Sequence, residues 1–367
     1  MKTATTLLLF LTFSTQLWAQ KENETDKLIQ NAVNQLIQIQ EADGAWPYEG
    51  VYRVNRRIPV GYRIGGTSIV STALLYATAG NSTEENEAVD SAIGRGIEIV
   101  LSDLENPLMK PSTANRYDVR VWGHIYALDF FCRLRSTKRF EDQRKQTDAW
   151  IPKLVKILRT EQLNDGGWNY ATRSRHAAFV TSPAVQAMLL ARQQGEDIPD
   201  EVFERAKQVL LRSRTQKGAF QYSGVVTRRP APLPGSIARS AICELTLVLL
   251  GAGDVEQVQD SIDAFHEHWD KLEKRRAKTG THEGPYGIAP YYFYFGHRYI
   301  GQALQLLAEE DAATETEKLK SVLMKTKSDE GTWNDRVFAR SKAYGTAMSV
   351  LALLDNVPLP DKIERKK

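Results

Sequence analysis

The sequence predicts an all-α fold, an (α/α)6 toroid of six inner and six outer helices, and three observations lead to it. A polar, Gly-centred turn followed by a long connector and an apolar helical run recurs six times, at intervals of roughly fifty to sixty residues. Helical segments alternate between charged amphipathic stretches and stretches that are apolar on nearly all sides. The first and last apolar segments, GTSIVSTALLYATA and AYGTAMSVLALL, are as apolar as those between them. A straight solenoid would need polar capping repeats at its ends, so these two are expected to pack on each other and close a ring.

The chain opens with Lys2, the apolar stretch Leu7 to Phe13 and Leu17-Trp18-Ala19 ahead of Gln20, the pattern of a secretory signal. This gives a signal peptide over 1–19 cleaved near Ala19, one toroid domain over 20–358 and a basic C-terminal tail over 359–367. The expected location is secreted or periplasmic. No other apolar run approaches the roughly twenty residues that span a bilayer, so no membrane span is expected. With 42% hydrophobic and 25% charged residues the composition is globular, and a formal charge of +3 is too small to imply nucleic acid. Cys132 and Cys243 sit inside apolar helical runs in the second and fourth repeats, which are not neighbours in a ring, and read as two buried thiols.

The outer helices are expected at 25–40, 84–101, 143–160, 199–214, 256–274 and 314–326, where many charges accompany an apolar stripe. The inner helices follow at 66–79, 119–134, 180–193, 236–250, 295–309 and 343–355. Four turns read plainly: QEADGAWPY from Gln40, QLNDGGWNY from Gln162, TQKGAFQY from Thr215 and KSDEGTW from Lys327. In each, Gly admits the positive φ that ends a helix, and Trp46, Trp168, Phe220 or Trp333 can fill the wedge between helices. The turns before Trp122 and Phe295 have lost this signature.

These Q-x-x-x-G-x-W-like turns, followed by Ser/Thr/Ala-rich helices, resemble the repeats of the squalene-hopene cyclase and protein prenyltransferase superfamily. The likeness covers nearly the whole chain after residue 19. It implies a terpenoid cyclase-like toroid whose cavity opens on the side of the outer-to-inner connectors. The fold does not fix the function. The cyclases' D-x-D-D acid is missing. The prenyltransferase zinc set lacks a Cys beside His297 and Asp335, and there is no thioester motif. No cofactor is expected, and no metal. Asp263, His266, Glu267 and Asp270 share a helix face only as an exposed, mixed-charge helix commonly arranges them.

The outer-to-inner connectors are long and rich in Arg, Tyr and His, whereas the inner-to-outer ones are short and plain. Arg53, Arg57, Arg63, Arg120, Arg175, Arg229, Arg239, Arg298 and Arg340, with Tyr117, His176 and Tyr291, are candidate ligand-binding residues. Together with the N-termini of the inner helices they predict an anion-attracting mouth. Gly123-His124-Ile125-Tyr126 in the second inner helix matches Gly296-His297-Arg298-Tyr299 in the fifth as G-H-x-Y, in units lying opposite each other. His124, His297, Asp118 and Tyr292 are therefore the candidate catalytic residues, with the two imidazoles expected to face one another. One reading is a binding module whose central cavity holds an anionic or extended small-molecule, lipid or glycan ligand. An alternative is a lyase on a uronate-type glycan, in which Arg neutralises the carboxylate and His or Tyr removes the α-proton. A divergent terpene cyclase with a relocated acid is a third.

Overall fold

The computed structural model describes residues 24–111, 119–171 and 175–363. The proposed signal segment, Asp118 and Tyr117 lie outside the described residues. Twelve α-helices are described: α1 (24–38), α2 (Val60–Ala77), α3 (Thr83–Leu104), α4 (Arg120–Arg135), α5 (Glu141–Glu161), α6 (Ala178–Gln193), α7 (Asp200–Ser213), α8 (Ile237–Leu249), α9 (Val255–Glu273), α10 (Tyr292–Ala303), α11 (Glu309–Met324) and α12 (Ser341–Leu353). No helix among them is long and apolar enough to cross a membrane.

The even-numbered helices form the inner ring, each packing on the next from α2 round to α12, and α12 packs back on α2. Every residue of α8 is buried, as an inner helix clasped on all sides requires. By contrast, α7 buries only Val202, Phe203, Ala206, Val209, Leu210 and Ser213, one stripe at helical spacing, and turns its charges outward. Closure of the ring is as the apolar ends of the sequence imply. Several boundaries differ from the sequence expectation, among them that of α2, which begins at Val60 rather than 66. Helix α11 begins at Glu309 because Glu309, Glu310 and Asp311 suit a helix N-terminus, although EEDAATE reads as a connector. Helix α10 ends at Ala303 and tightens into a 3-10 turn over Leu304–Leu306.

Hydrogen bonds show why the turn motif recurs. The Trp168 indole N–H donates to the Leu158 carbonyl of α5 at 2.7 Å, while its backbone N–H donates to Thr181 Oγ1 of α6 at 3.0 Å. Gln162 Nε2 spans to Gly166 O at 2.8 Å and to Val202 O of α7 at 2.9 Å, so one turn joins two outer helices and one inner helix. The same bonds recur at Trp46 with Leu36, Thr67 and Gln40, and in part at Trp333 with Leu323 and Thr346. At Phe220 the Ser236 hydroxyl takes the threonine's part. The turn glycines Gly44, Gly166, Gly218 and Gly331 all have positive φ, between 75° and 105°.

After α12 the chain crosses the C-terminal end of the inner ring. Asn356 Nδ2 donates to Tyr76 O of α2 at 3.1 Å, Gln305 Nε2 to Val357 O at 3.0 Å, Arg133 Nη1 of α4 to Pro358 O at 3.1 Å and Ile363 N to Leu249 O of α8 at 2.8 Å. This strap closes the lumen from below. Cys132 and Cys243 are both buried free thiols.

Candidate functional site

The N-termini of the inner helices and the connectors before them enclose a basin of about 310 Å³. All six repeats contribute: Val51, Tyr52 and Tyr62, then Val119, then Asn169 and Tyr170, then Tyr222, then Thr281, His282 and Tyr291, and last Arg336. Tyr170 and Tyr222 arrive there because each lies two residues beyond the turn aromatic, Trp168 or Phe220, which the turn holds between the helices. The aromatic walls are packed. Tyr222 meets His282 edge to face at 4.4 Å between centroids and stacks on Phe179 at 5.4 Å, and Tyr291 lies 4.4 Å from Tyr292.

No carboxylate is among the lining residues described. Arg336 stands in the wall, and the Arg239 guanidinium lies 5.6 Å from the Tyr292 ring centroid beside it. Burial, then repulsion from Arg239 and Arg336, pushes the His282 imidazole down to about 4. His282 is therefore neutral at neutral pH. Its Nε2 lies 3.2 Å from Tyr291 Oη. Burial raises the hydroxyls of Tyr170 and Tyr291 well above the usual range, so both remain protonated donors.

Next to the basin is a buried acid. Asp335 is fully buried, its Oδ2 accepts from Tyr48 Oη at 3.0 Å, and its Oδ1 has no hydrogen-bond partner. The Tyr48 oxygen in turn accepts from Arg336 Nε at 3.2 Å, and Arg336 Nη1 donates to Gly280 O at 2.7 Å. Burial drives the Asp335 carboxyl up to about 7 against the pull of Arg336. A single hydroxyl thus links an acid that titrates near neutrality to the basin's cation. The signal for Asp335 lies in the repeat. Trp46-Pro47-Tyr48, Trp168-Asn169-Tyr170 and Phe220-Gln221-Tyr222 put Tyr two residues after the aromatic, and Trp333-Asn334-Asp335 puts Asp there.

No protein-family model and no curated protein sequence matches the chain. Among solved structures it is similar to an α-1,6-mannanase, GH76A of Salegentibacter sp. HEL1_6, in an inactive double-aspartate variant with α-1,6-mannotetrose. The identity is 14%, the TM-score 0.60, and the match covers 90% of this chain and 98% of that one. It is also similar to the type II terpene cyclase MstE from Scytonema with its substrate geranylgeranyl dihydroxybenzoate, at 14% identity and TM-score 0.54, over 91% of this chain and 97% of that one. This chain folds as an (α/α)6 toroid, as those two proteins do.

The toroid corrects the expected placement of the histidines. His124 and His297 point away from the axis, into the seams between inner and outer helices. His297 Nε2 accepts from Trp269 Nε1 of α9 at 2.9 Å, and its Nδ1 bonds to Phe293 O at 2.7 Å. His124 is held by the Met109 backbone. Burial lowers both to about 3, so they are neutral packing groups. Residues two apart on a helix lie on opposite faces, so the outward His leaves the Tyr of G-H-x-Y inward. It is Tyr126 and Tyr299 that meet, 3.1 Å apart between hydroxyl oxygens. The glycines serve ring packing, with Gly123 against Gly61 of α2 and Gly296 against Ala238 of α8.

The expected arginine-lined mouth is also corrected, because most of those arginines are tied into the scaffold. Arg120 is buried against Glu161 at 2.9 Å, Arg63 pairs with Asp103 and Asp43, Arg53 with Glu49 and Arg340 with Glu41. Arg239 spends its donors on the carbonyls of Phe220 and Gly235. His176 is a brace, with Nδ1 on Asp165 at 2.8 Å and Nε2 on Ser213 at 2.7 Å. Arg57, Arg175 and Arg229 are exposed, and Arg298 faces a chamber lower in the lumen. Of the predicted residues described, Tyr291 lines the basin, and Tyr292 and Arg239 back it. Tyr52, Tyr62, Tyr170, Tyr222 and His282 were not singled out by the sequence, whereas Arg336 belongs to the connector arginines that predict the anion-attracting face.

Proposed function

We propose that the basin binds an acidic glycan, with sugar rings stacked on the tyrosines and a carboxylate drawn to Arg336. The observation that carries this reading is a wall of five tyrosines with a guanidinium and no carboxylate among the described lining residues. Stacking on Tyr provides apolar area with a polar rim, which suits a sugar ring, and the Arg336 guanidinium, whose neighbour Asp335 stays largely protonated below about pH 7, favours an anion. The solved mannanase complex supports a glycan as the kind of ligand such a cavity admits. Most glycoside hydrolases work with two carboxylates facing the substrate, and the described basin wall has none. Between the basin and the lower lumen, Tyr48, Trp122, Tyr126 and Tyr344 pack together, with Tyr48 and Tyr344 centroids 4.5 Å apart and those of Trp122 and Tyr126 4.9 Å apart. A long prenyl chain therefore finds no continuous apolar cavity. Export through residues 1–19 belongs to the same reading.

Calorimetric titration with uronate oligosaccharides and with neutral mannan oligosaccharides tests it. Uronates should bind and neutral chains bind at least tenfold more weakly. Arg336→Gln and Tyr291→Ala should each weaken uronate binding about tenfold or more, in line with about 1.5–3 kcal/mol for a charge-assisted bond. Equal affinity for charged and neutral chains would refute the proposal.

A second reading, β-elimination on the bound uronate, is favoured by the Tyr291 and His282 pair. Arg336 would neutralise the carboxylate and thereby acidify the α-proton, neutral His282 would accept that proton, and a protonated tyrosine would donate to the departing glycosidic oxygen. An unsaturated product absorbs in the ultraviolet. Its steady appearance with the wild type and its loss in His282→Ala would establish the reaction; tight binding with no product would leave the toroid a binding module.

A further inference from the structure

A second cavity lies on the ring axis below the Tyr126 and Tyr299 contact, above the C-terminal strap, and has a volume of about 30 Å³. Its charge does not balance. Arg298 of α10 is 94% buried, its side chain forms no hydrogen bond among the described residues, and its Nη1 is shielded from solvent without a partner. Its guanidinium carbon sits 5.5 Å from the Tyr299 ring centroid. The other guanidinium, Arg133, already has its carboxylate, with Nε on both oxygens of Asp129 at 3.1 and 3.0 Å, and a further bond to the strap at Pro358 O. The two tyrosines are neutral, since burial raises both hydroxyls. Two guanidiniums thus face one carboxylate, an excess of one positive charge within the core. Burying a charge without a counter-charge costs several kcal/mol. Nearby, Gln302 donates to Gln186 Oε1 at 3.0 Å while its own Oε1 has no partner.

We propose that this chamber is a binding site for a small monovalent anion, of halide or simple carboxylate size, held by Arg298. The cavity sets the size limit, since about 30 Å³ accommodates one or a few water-sized centres. Chloride or formate fits within that limit, and gluconate does not. The site is independent of the basin, from which the packed aromatic layer separates it.

The test is thermal unfolding of the protein in gluconate buffer, with chloride, bromide or formate replacing gluconate at constant ionic strength. Wild type should show a saturable rise in Tm of roughly 3–6 °C over a hundredfold range of the small anion. Arg298→Met should lose that dependence, while a change of the exposed Arg229 to Met should keep it. If Arg298→Met does not fold, a bromide soak of wild-type crystals decides, with an anomalous peak beside Arg298 expected. Equal Tm in all four anions, a saturable rise that survives in Arg298→Met, or water alone at the site in the bromide soak would overturn the proposal. Chloride and formate acting alike would mark a charge-and-size site, and a chloride effect without a formate effect a halide site.

Discussion

Asp335→Asn is expected to make the protein more stable than wild type at pH 8, by on the order of 4 kcal/mol, with the two proteins converging near pH 4. The folded carboxyl releases its proton at about 7 and the unfolded one at its ordinary 3.8, because folding moves it out of water beside a single hydroxyl. Between those values the folded state binds more protons than the unfolded state. The contribution of Asp335 to stability is thus fully present below about pH 4 and is lost as pH rises through about 7. At 1.36 kcal/mol per pH unit, a gap of about three units gives the magnitude quoted. Asparagine resembles the protonated acid, keeps an acceptor for Tyr48 and removes the ionisation. Glu244, also raised to about 7 by burial, contributes the same trend in both proteins and cancels in the comparison. Urea unfolding at pH 4, 6 and 8 measures the difference. Parallel pH profiles for the two proteins would show that Asp335 is ionised in the fold at ordinary pH.

Trp168→Ala should cost about 3–5 kcal/mol, the usual range for deleting a fully buried large aromatic. The loss has two parts. One is the cavity left in the wedge between α5, α6 and α7, and the other is the Leu158 carbonyl deprived of its indole donor. Trp168→Phe weights the second part, since it removes the N–H while retaining much of the ring volume, and should cost about 1–3 kcal/mol. Because Tyr170 lies in the same turn and lines the basin, ligand affinity should fall with stability in Trp168→Ala. Denaturant midpoints with unchanged slopes, measured beside binding, would check both effects.

The repeat was legible because its signals are local. Gly at a positive φ, Trp at the wedge and the Thr or Ser hydroxyl capping the Trp amide each follow from short-range geometry, and apolar periodicity distinguishes inner from outer helices. The candidate site was legible only in part. The connectors enclose the cavity that Tyr291 lines, but an arginine reads the same in sequence whether it faces a ligand or a carboxylate far along the chain. Arg120 found Glu161 and Arg340 found Glu41, and such partners follow only from packing. The G-H-x-Y match held a recoverable answer, since a two-residue offset on a helix cannot point both side chains inward.

By itself the sequence determined an alternating all-α toroid, the identity of its wedge residues and the face on which its connectors gather, because all of these depend on helix periodicity and turn chemistry within a single repeat. Tertiary structure alone decided which charges remained unpaired. Arg298 differs from the other arginines only in what ring closure and the strap fail to bring within a few ångströms, and electrostatic partnership between distant repeats is set by three-dimensional proximity.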